Sequence, residues 1–369
     1  MTDGGEILQD GLRVRPVETG RLEVRITERP AEAPPERTLV FLHDVFASSA
    51  LWRELLAALP EGVRGVAVDL RGFGGTENLP VDATRGVADF CDDLHATLDA
   101  LGIGGAHLVG WGLGGSVALQ YAAEHPVRTL TLLAPFSPYG LGGTRRDGSL
   151  LTEDAAGTGA GLANPETVRR LIAHDTTDEA ETSPRSVLRH AFVARGDAVP
   201  HEDLWVQAML ETSTAGGNYP GDVQAAETWP GFAAGTTGVL NALSPRWFDA
   251  SGIATAPAKP PILWIHGDAD AIVSDTSFWD VNHLGALGIV PEWPGEELAP
   301  AQPMLTQTRD VLDTYRQAGG TVRELVLPGV GHSPHLEAPG RVRQAILAHA
   351  ALLEDPAPTT EQIILRSSD

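Results

Sequence analysis

Gly110-Trp111-Gly112-Leu113-Gly114-Gly115 joins a short apolar run, Ala106 to Gly110, to a stretch with helical spacing, Gly114 to His125, that Pro126 stops. A strand that turns sharply into a helix needs glycines on both sides of the apex so that the two backbones can approach. The apex here is Gly112. A dinucleotide-binding turn is also glycine-rich, but it belongs after the first strand of its unit, with an acid about 20 residues on. Neither condition is well met.

Outward from this turn, strands and helices alternate. Upstream, the pattern predicts strands at Thr38 to His43 and Val63 to Leu70. A helix at Ser49 to Leu59 has Ser48 or Ser49 as N-cap and Pro60 as stop, and a second at Val87 to Leu101 is closed by Gly102. Downstream, Thr129 to Ala134 is a further strand. The first 35 residues read as two strands, Leu12 to Glu18 and Arg21 to Glu28, before a Pro- and Glu-rich loop, Pro30 to Glu36. Near-continuous apolar strands separated by helices indicate an α/β fold: a doubly wound, mostly parallel sheet covered on both faces. Ligands in such sheets bind beyond the carboxyl ends of the strands, so the chemistry belongs just after residues 43, 70, 110 and 134.

The alternation stops between Pro135 and Lys259, where Gly, Thr, Pro and Trp are frequent and helical pieces appear at Pro165 to His174 and Leu204 to Thr212. So long a stretch is no loop; residues 136–259 read as an inserted, largely helical cap. The core, residues 1–135, resumes over 260–354. It resumes with a strand at Pro261 to His266, a helix at Pro303 to Ala318, a strand at Thr321 to Leu327 and a helix at Ala338 to Leu353. Residues 355–369 read as a tail.

The net charge is −23 and hydrophobic residues make up 42% of the chain. That charge disfavours nucleic acid and anionic membrane surfaces, which are polyanionic. Lys259 is the only lysine, which codon bias explains. No apolar run approaches the roughly 20 residues needed to span a bilayer, and Met1 to Glu6 lacks the features of a signal peptide. The single cysteine, Cys91, suits a reducing compartment. A cytoplasmic protein is expected.

Two further segments carry chemistry. In Trp264-Ile265-His266-Gly267-Asp268-Ala269-Asp270 a carboxylate just beyond a strand end can orient an imidazole and stabilise it when protonated. Taken alone, Asp268 would be a turn residue and Asp270 a helix N-cap. Gly331-His332-Ser333-Pro334-His335 follows the last strand and supplies the imidazole, His332; His335 reads as a structural hydrogen-bonder.

Together these segments resemble the α/β-hydrolase family across nearly the whole chain, cap included. The resemblance rests on the elbow Gly110 to Gly115, the acid Asp270, the base His332 and Asp69-Leu70-Arg71-Gly72-Phe73-Gly74. It implies an oxyanion hole made by the backbone N–H groups of Val45 and Leu113. The strings Gly-Trp-Gly-x-Gly-Gly, Asn218-Tyr219-Pro220-Gly221-Asp222 and Gly331 to His335 also look like an uncharacterised subgroup with glycine at the elbow.

Two departures matter. The family's Gly-x-Ser-x-Gly places serine at the apex, and Gly112 has no side chain, so no acyl-enzyme can form there. Asp44 replaces the second residue of the usual His-Gly pair; it is either a turn-stabilising residue or a second acid or base. Ser116, one turn into an apolar helix, reads as buried rather than as a substitute nucleophile.

The expected function is hydrolysis of an ester- or lactone-type bond in a hydrophobic small molecule. His332, oriented by Asp270, acts as general base without a covalent intermediate, and Asp44 joins the catalytic set. The alternatives are a lyase, cyclase or cofactor-free oxygenase acting by proton abstraction, a non-catalytic ligand-binding protein, and a serine hydrolase silenced by an engineered glycine at 112. Trp111, Phe46, Trp205 and Tyr139 are the expected pocket residues; Trp229, Trp247, Tyr219 and Phe232 are further aromatics that serve the cap's own core or the pocket. No cofactor is called for, and no cluster has metal-ligand spacing.

Overall fold

The computed structural model describes residues 5–8, 10–31, 35–197 and 199–351; the expected tail, 355–369, lies outside them. Eleven strands occur among the described residues: β1 (Glu6–Ile7), β2 (Arg13–Glu18), β3 (Glu23–Arg29), β4 (Arg37–Leu42), β5 (Val63–Val68), β6 (His107–Trp111), β7 (Thr129–Leu133), β8 (Val223–Ala225), β9 (Phe232–Ala234), β10 (Ile262–Gly267) and β11 (Val322–Leu327). Nine form one sheet in the order β1-β2-β3-β5-β4-β6-β7-β10-β11. The first three pair antiparallel and β3 meets β5 antiparallel, while all pairs from β5 to β11 are parallel.

The interior strands are mostly apolar and buried because helices cover both faces. Leu39, Val40, Phe41 and Leu42 of β4 are all buried, as is every residue of β6, β7 and β10. Helix Ala88–Ala100 packs on Leu113–Glu124, and Arg53–Ala57 packs on Pro339–Ala351. The helix expected over Ser49 to Leu59 is shorter: a 3-10 turn, Ser49–Trp52, runs into Arg53–Ala57. Neither serine caps it through its side chain. Ser48 at the N-cap makes no such bond, and the Ser49 hydroxyl instead meets Thr27 at 2.8 Å.

Chain order reverses between β4 and β6, with β5 on one side and β7 on the other. A crevice opens beyond the strand ends at such a switch point. The register pairs Leu42 with Gly110, so Asp44 and Gly112, each two residues further on, face one another across it.

Between β7 and β10 the chain makes a long excursion with short helices, among them Pro165–Ile172 and Glu202–Leu210, and the hairpin β8–β9. It is tied back onto the sheet's loops: Ser213 N–H donates to Gly72 O at 2.8 Å and Val81 N–H to Gly217 O at 2.8 Å. Asp222 closes the loop around it by accepting from the Thr236 and Thr237 amides. No described helix is long and apolar enough to cross a membrane.

Candidate active site

The elbow has the tight geometry that its glycines predict. A Cβ on Gly110 would collide with Gly114 O, so strand and helix approach more closely than any larger residue permits. Gly112 sits at φ 52°, ψ −116°, a conformation that L side chains rarely adopt. Its amide donates to Leu133 O at 3.1 Å, and helix Leu113–Glu124 starts at once behind it.

Asp44 fills the space beside Gly112. A Cβ added at 112 would fall on the Asp44 carboxyl group, atom upon atom. Asp44 Oδ1 accepts from the Leu113 amide at 2.6 Å, and Oδ2 from His332 Nε2 at 2.9 Å. The first bond places a carboxylate on the N-terminus of a twelve-residue helix, where the exposed amides and the helix dipole favour negative charge. His43 holds the backbone of Asp44 in place. Its Nδ1 donates to Asp44 O at 2.7 Å, while its Nε2 accepts from the Leu70 amide at 2.9 Å. That pair of bonds requires the neutral ring, and burial lowers the His43 pKa accordingly.

On the other side, His332 Nδ1 meets Asp270 Oδ2 at 2.9 Å. The remaining oxygen of Asp270 accepts from the amides of Ile272 and Val273 at 2.7 and 2.9 Å. The residue thus both caps its turn and orients the imidazole. Asp268 ties the two loops together by accepting from the Gly329 amide at 2.6 Å. Trp111 Nε1 donates to His332 O at 2.7 Å.

Both ring nitrogens of His332 therefore face carboxylates, and both donate only if the ring is an imidazolium. His332 and Asp44 have no exposed side-chain surface at all and Asp270 is buried. Burial pushes the ring toward its neutral form; attraction and hydrogen bonding from Asp270 and Asp44 outweigh that, raising its pKa to about 10. The two carboxylates thus favour the protonated form of the ring expected as the base. The Leu113 amide, expected with that of Val45 in an oxyanion hole, already donates to Asp44.

Aromatic rings close the site. Phe192, Trp111 and Phe136 lie 5.7, 5.9 and 6.3 Å from the His332 ring, and Phe46 and Trp279 continue the shell. Phe46, in the left-handed region at φ 55°, packs on Tyr219 at 4.6 Å. Phe192 ends a single π turn, Leu188–Phe192, a local irregularity frequent at functional sites. Its neighbours Val193 and Ala194, with Ala269 and Ala271 on either side of Asp270, line a surface cleft of about 720 Å³ whose rim carries Arg195.

Of the expected pocket residues, Phe46 and Trp111 lie at the site. Trp205 is one layer behind, stacked 6.5 Å from His335. Tyr139 is elsewhere, in a cleft with Arg146 and Asp310. His335 differs from expectation. Neither ring nitrogen has a hydrogen-bond partner among the described residues; the ring is stacked on Trp52 at 4.3 Å and edge-on to Trp111 at 4.6 Å. Burial first, and the His332 charge second, hold its pKa well below the usual value, so it acts as an apolar ring. Ser116 is fully buried.

Phe136, Phe192 and Trp279 were not singled out in the sequence. Phe136 carried a signal, because it follows the strand end at 134. Phe192 carried none, because a π turn leaves no mark in an apolar pattern. Among the described residues no group of three or more His, Cys, Asp or Glu could hold a metal ion.

Residues 37–298 match the family model of the alpha/beta hydrolase fold. Carboxylesterase YbfK of Bacillus subtilis is 35% identical over 103 residues, 28% of this chain and 33% of that protein. Monoacylglycerol lipase abhd6-B of Xenopus laevis is 30% identical over 131 residues, 34% and 38% of the two chains. The chain thus spans well under half the length of these relatives. Among solved structures, a membrane phospholipase A superposes with a TM-score of 0.58 at 19% identity, covering 94% of this chain and 88% of that one, a likeness of fold. The chain belongs to the α/β-hydrolase fold family.

Proposed function

We propose that this protein hydrolyses an ester- or lactone-type bond of a small, largely apolar molecule without a serine, using Asp44 and His332 as its acid–base pair and Asp270 to orient the ring. One observation carries the reading: the Asp44 carboxylate occupies the space next to the elbow apex, bonded to His332 on one oxygen and to the Leu113 amide on the other. Two groups this close can pass a proton directly between them. The imidazolium can protonate a departing oxygen, and the carboxylate can take a proton from water. Gly112 and Asp44 fit each other sterically, which favours a natural arrangement over a serine enzyme silenced by substitution.

The ring shell supports an apolar substrate. The excursion 136–259 is proposed as its cap, since it contributes Phe136, Phe192 and Tyr219. The cleft behind Val193 is the proposed route inward, with Phe192 as the gate. The test is turnover of a panel of aryl esters and lactones by the wild type, His332→Ala and Asp44→Asn. Hydrolysis by the wild type should fall by about 10²- to 10⁴-fold in each variant. Undiminished turnover in Asp44→Asn would overturn the role of the pair. A folded wild type with no turnover on any substrate would move the assignment to ligand binding.

A further inference from the structure

We propose that Glu337 is a positioning residue that latches the Phe192 gate to the loop carrying His332, so that the site opens only when this latch lets go. This rests on the gate proposed above and names what holds it shut. The site is sealed. The side chains of His332 and Asp44 are 0% exposed and that of Asp270 1%. Yet the cleft beside them is lined by the immediate neighbours of the sealed residues: Ala269 and Ala271 on either side of Asp270, and Val193 and Ala194 just after Phe192. The partition between cleft and imidazole is the segment 192–194, with the Phe192 ring 5.7 Å from that of His332.

That segment is fixed from several sides. After the π turn the chain is extended at Val193, φ −130° and ψ 147°, and has left the helical ladder. At its far end a Cβ on Gly196 would lie 2.4 Å from the Arg189 carbonyl oxygen, so the chain folds back tightly onto the π turn. On its inner side it lies backbone to backbone on Gly331, where a Cβ would come within 2.6 Å of Ala194 N. The Glu337 side chain completes the hold. Its Oε2 accepts from the Ala194 amide and its Oε1 from the Gly331 amide, each at 2.8 Å. The one-turn helix Pro334–Glu337 makes this reach possible. The Glu337 amide donates to Ser333 O at 3.1 Å, which brings the carboxylate back to a residue six positions earlier.

One carboxylate thus grips two chains: the gate, two residues beyond Phe192, and the catalytic loop, one residue before His332. Amides that donate to a charged oxygen make the stronger class of hydrogen bond, and Glu337 is half-buried, where losing them is costly. Swinging the gate outward breaks the Ala194 bond but leaves Asp270 and Asp44 on the His332 ring. Entry and base placement are therefore held by separate bonds. The grip needs both oxygens. Glu337→Gln keeps the size of the side chain but turns an N–H group on one of the two amides, so one bond is lost. Glu337→Ala loses both.

The test needs no substrate, so its failure and that of the hydrolase reading are separate results. Hydrogen exchange of the His332 ring N–H protons with water, followed by NMR, reads how often solvent reaches the ring. In the wild type the ring protons and the Ala194 amide should show the same protection, because one opening frees both. In folded Glu337→Gln the ring protons should exchange about 10- to 100-fold faster, the range expected for one lost bond to a charged group. Glu337→Ala should be at least as fast, and Phe192→Ala should be faster than the wild type. Glu337→Gln added to Phe192→Ala should change nothing further, since the gate it latches is gone. An Ala194 amide that exchanges freely while the ring stays protected would overturn the latch from the wild type alone. Unaltered ring exchange in the folded Glu337 variants would do the same. So would a further acceleration in the double variant, which would place the effect of Glu337 on the His332 loop itself.

Discussion

The two halves of the site differ in how far they keep the family's arrangement. On one side, Asp270 and His332 follow the ends of β10 and β11 and meet at 2.9 Å, as the resemblance implies. On the other, the elbow apex has no side chain and the Asp44 carboxylate from the neighbouring loop lies beside it, on the Leu113 amide. An imidazole held by one acid and a helix N-terminus together select an anionic oxygen between them, whichever strand delivers it.

The largest effect that could break this comparison comes from giving the elbow a side chain. Gly112→Ser should not react with a fluorophosphonate, because the new side chain collides with Asp44; overpacking of this kind costs about 1–3 kcal/mol, readable in denaturant melts. Gly112→Ser combined with Asp44→Gly should recover stability and react at position 112. Equal labelling of the single and double variants would show that Asp44 does not hold that space.

A second effect lies in pH. The folded-state pKa of His332, about 10, is above its unfolded value near 6.5. Its contribution to stability is therefore fully present below pH 6.5 and is lost as pH rises toward 10. Urea melts should show stability declining across that window, and His332→Gln should flatten the decline. A decline of the same size in the variant would assign it to other groups.

The smallest effect concerns His335. A stacked ring with no hydrogen bonds is replaceable at low cost, so His335→Met should lose less than about 1.5 kcal/mol. A larger loss would mean that the ring has a polar partner.

The half that was legible in the sequence is the half set by local pattern. Strand ends, glycines and turn residues placed Gly112, Asp270 and His332, because each sits where an apolar run stops. Asp44 was identified as a departure, yet not its position. The register of β4 on β6 brings it opposite Gly112, and loop dihedrals beyond a strand end, which no periodicity encodes, aim its carboxylate. His335 was misread for a related reason. Whether a buried imidazole hydrogen-bonds or stacks depends on Trp52 and Trp111, which only the tertiary fold brings beside it.

The most direct test of the account is the ¹⁵N-resolved NMR spectrum of the His332 ring at neutral pH, in the wild type and in Asp44→Asn. The account predicts an imidazolium with two protected N–H signals in the wild type, the Nε2 signal disappearing and the ring titrating at lower pH in the variant. A neutral wild-type ring with a single N–H, unchanged by the substitution, would contradict it.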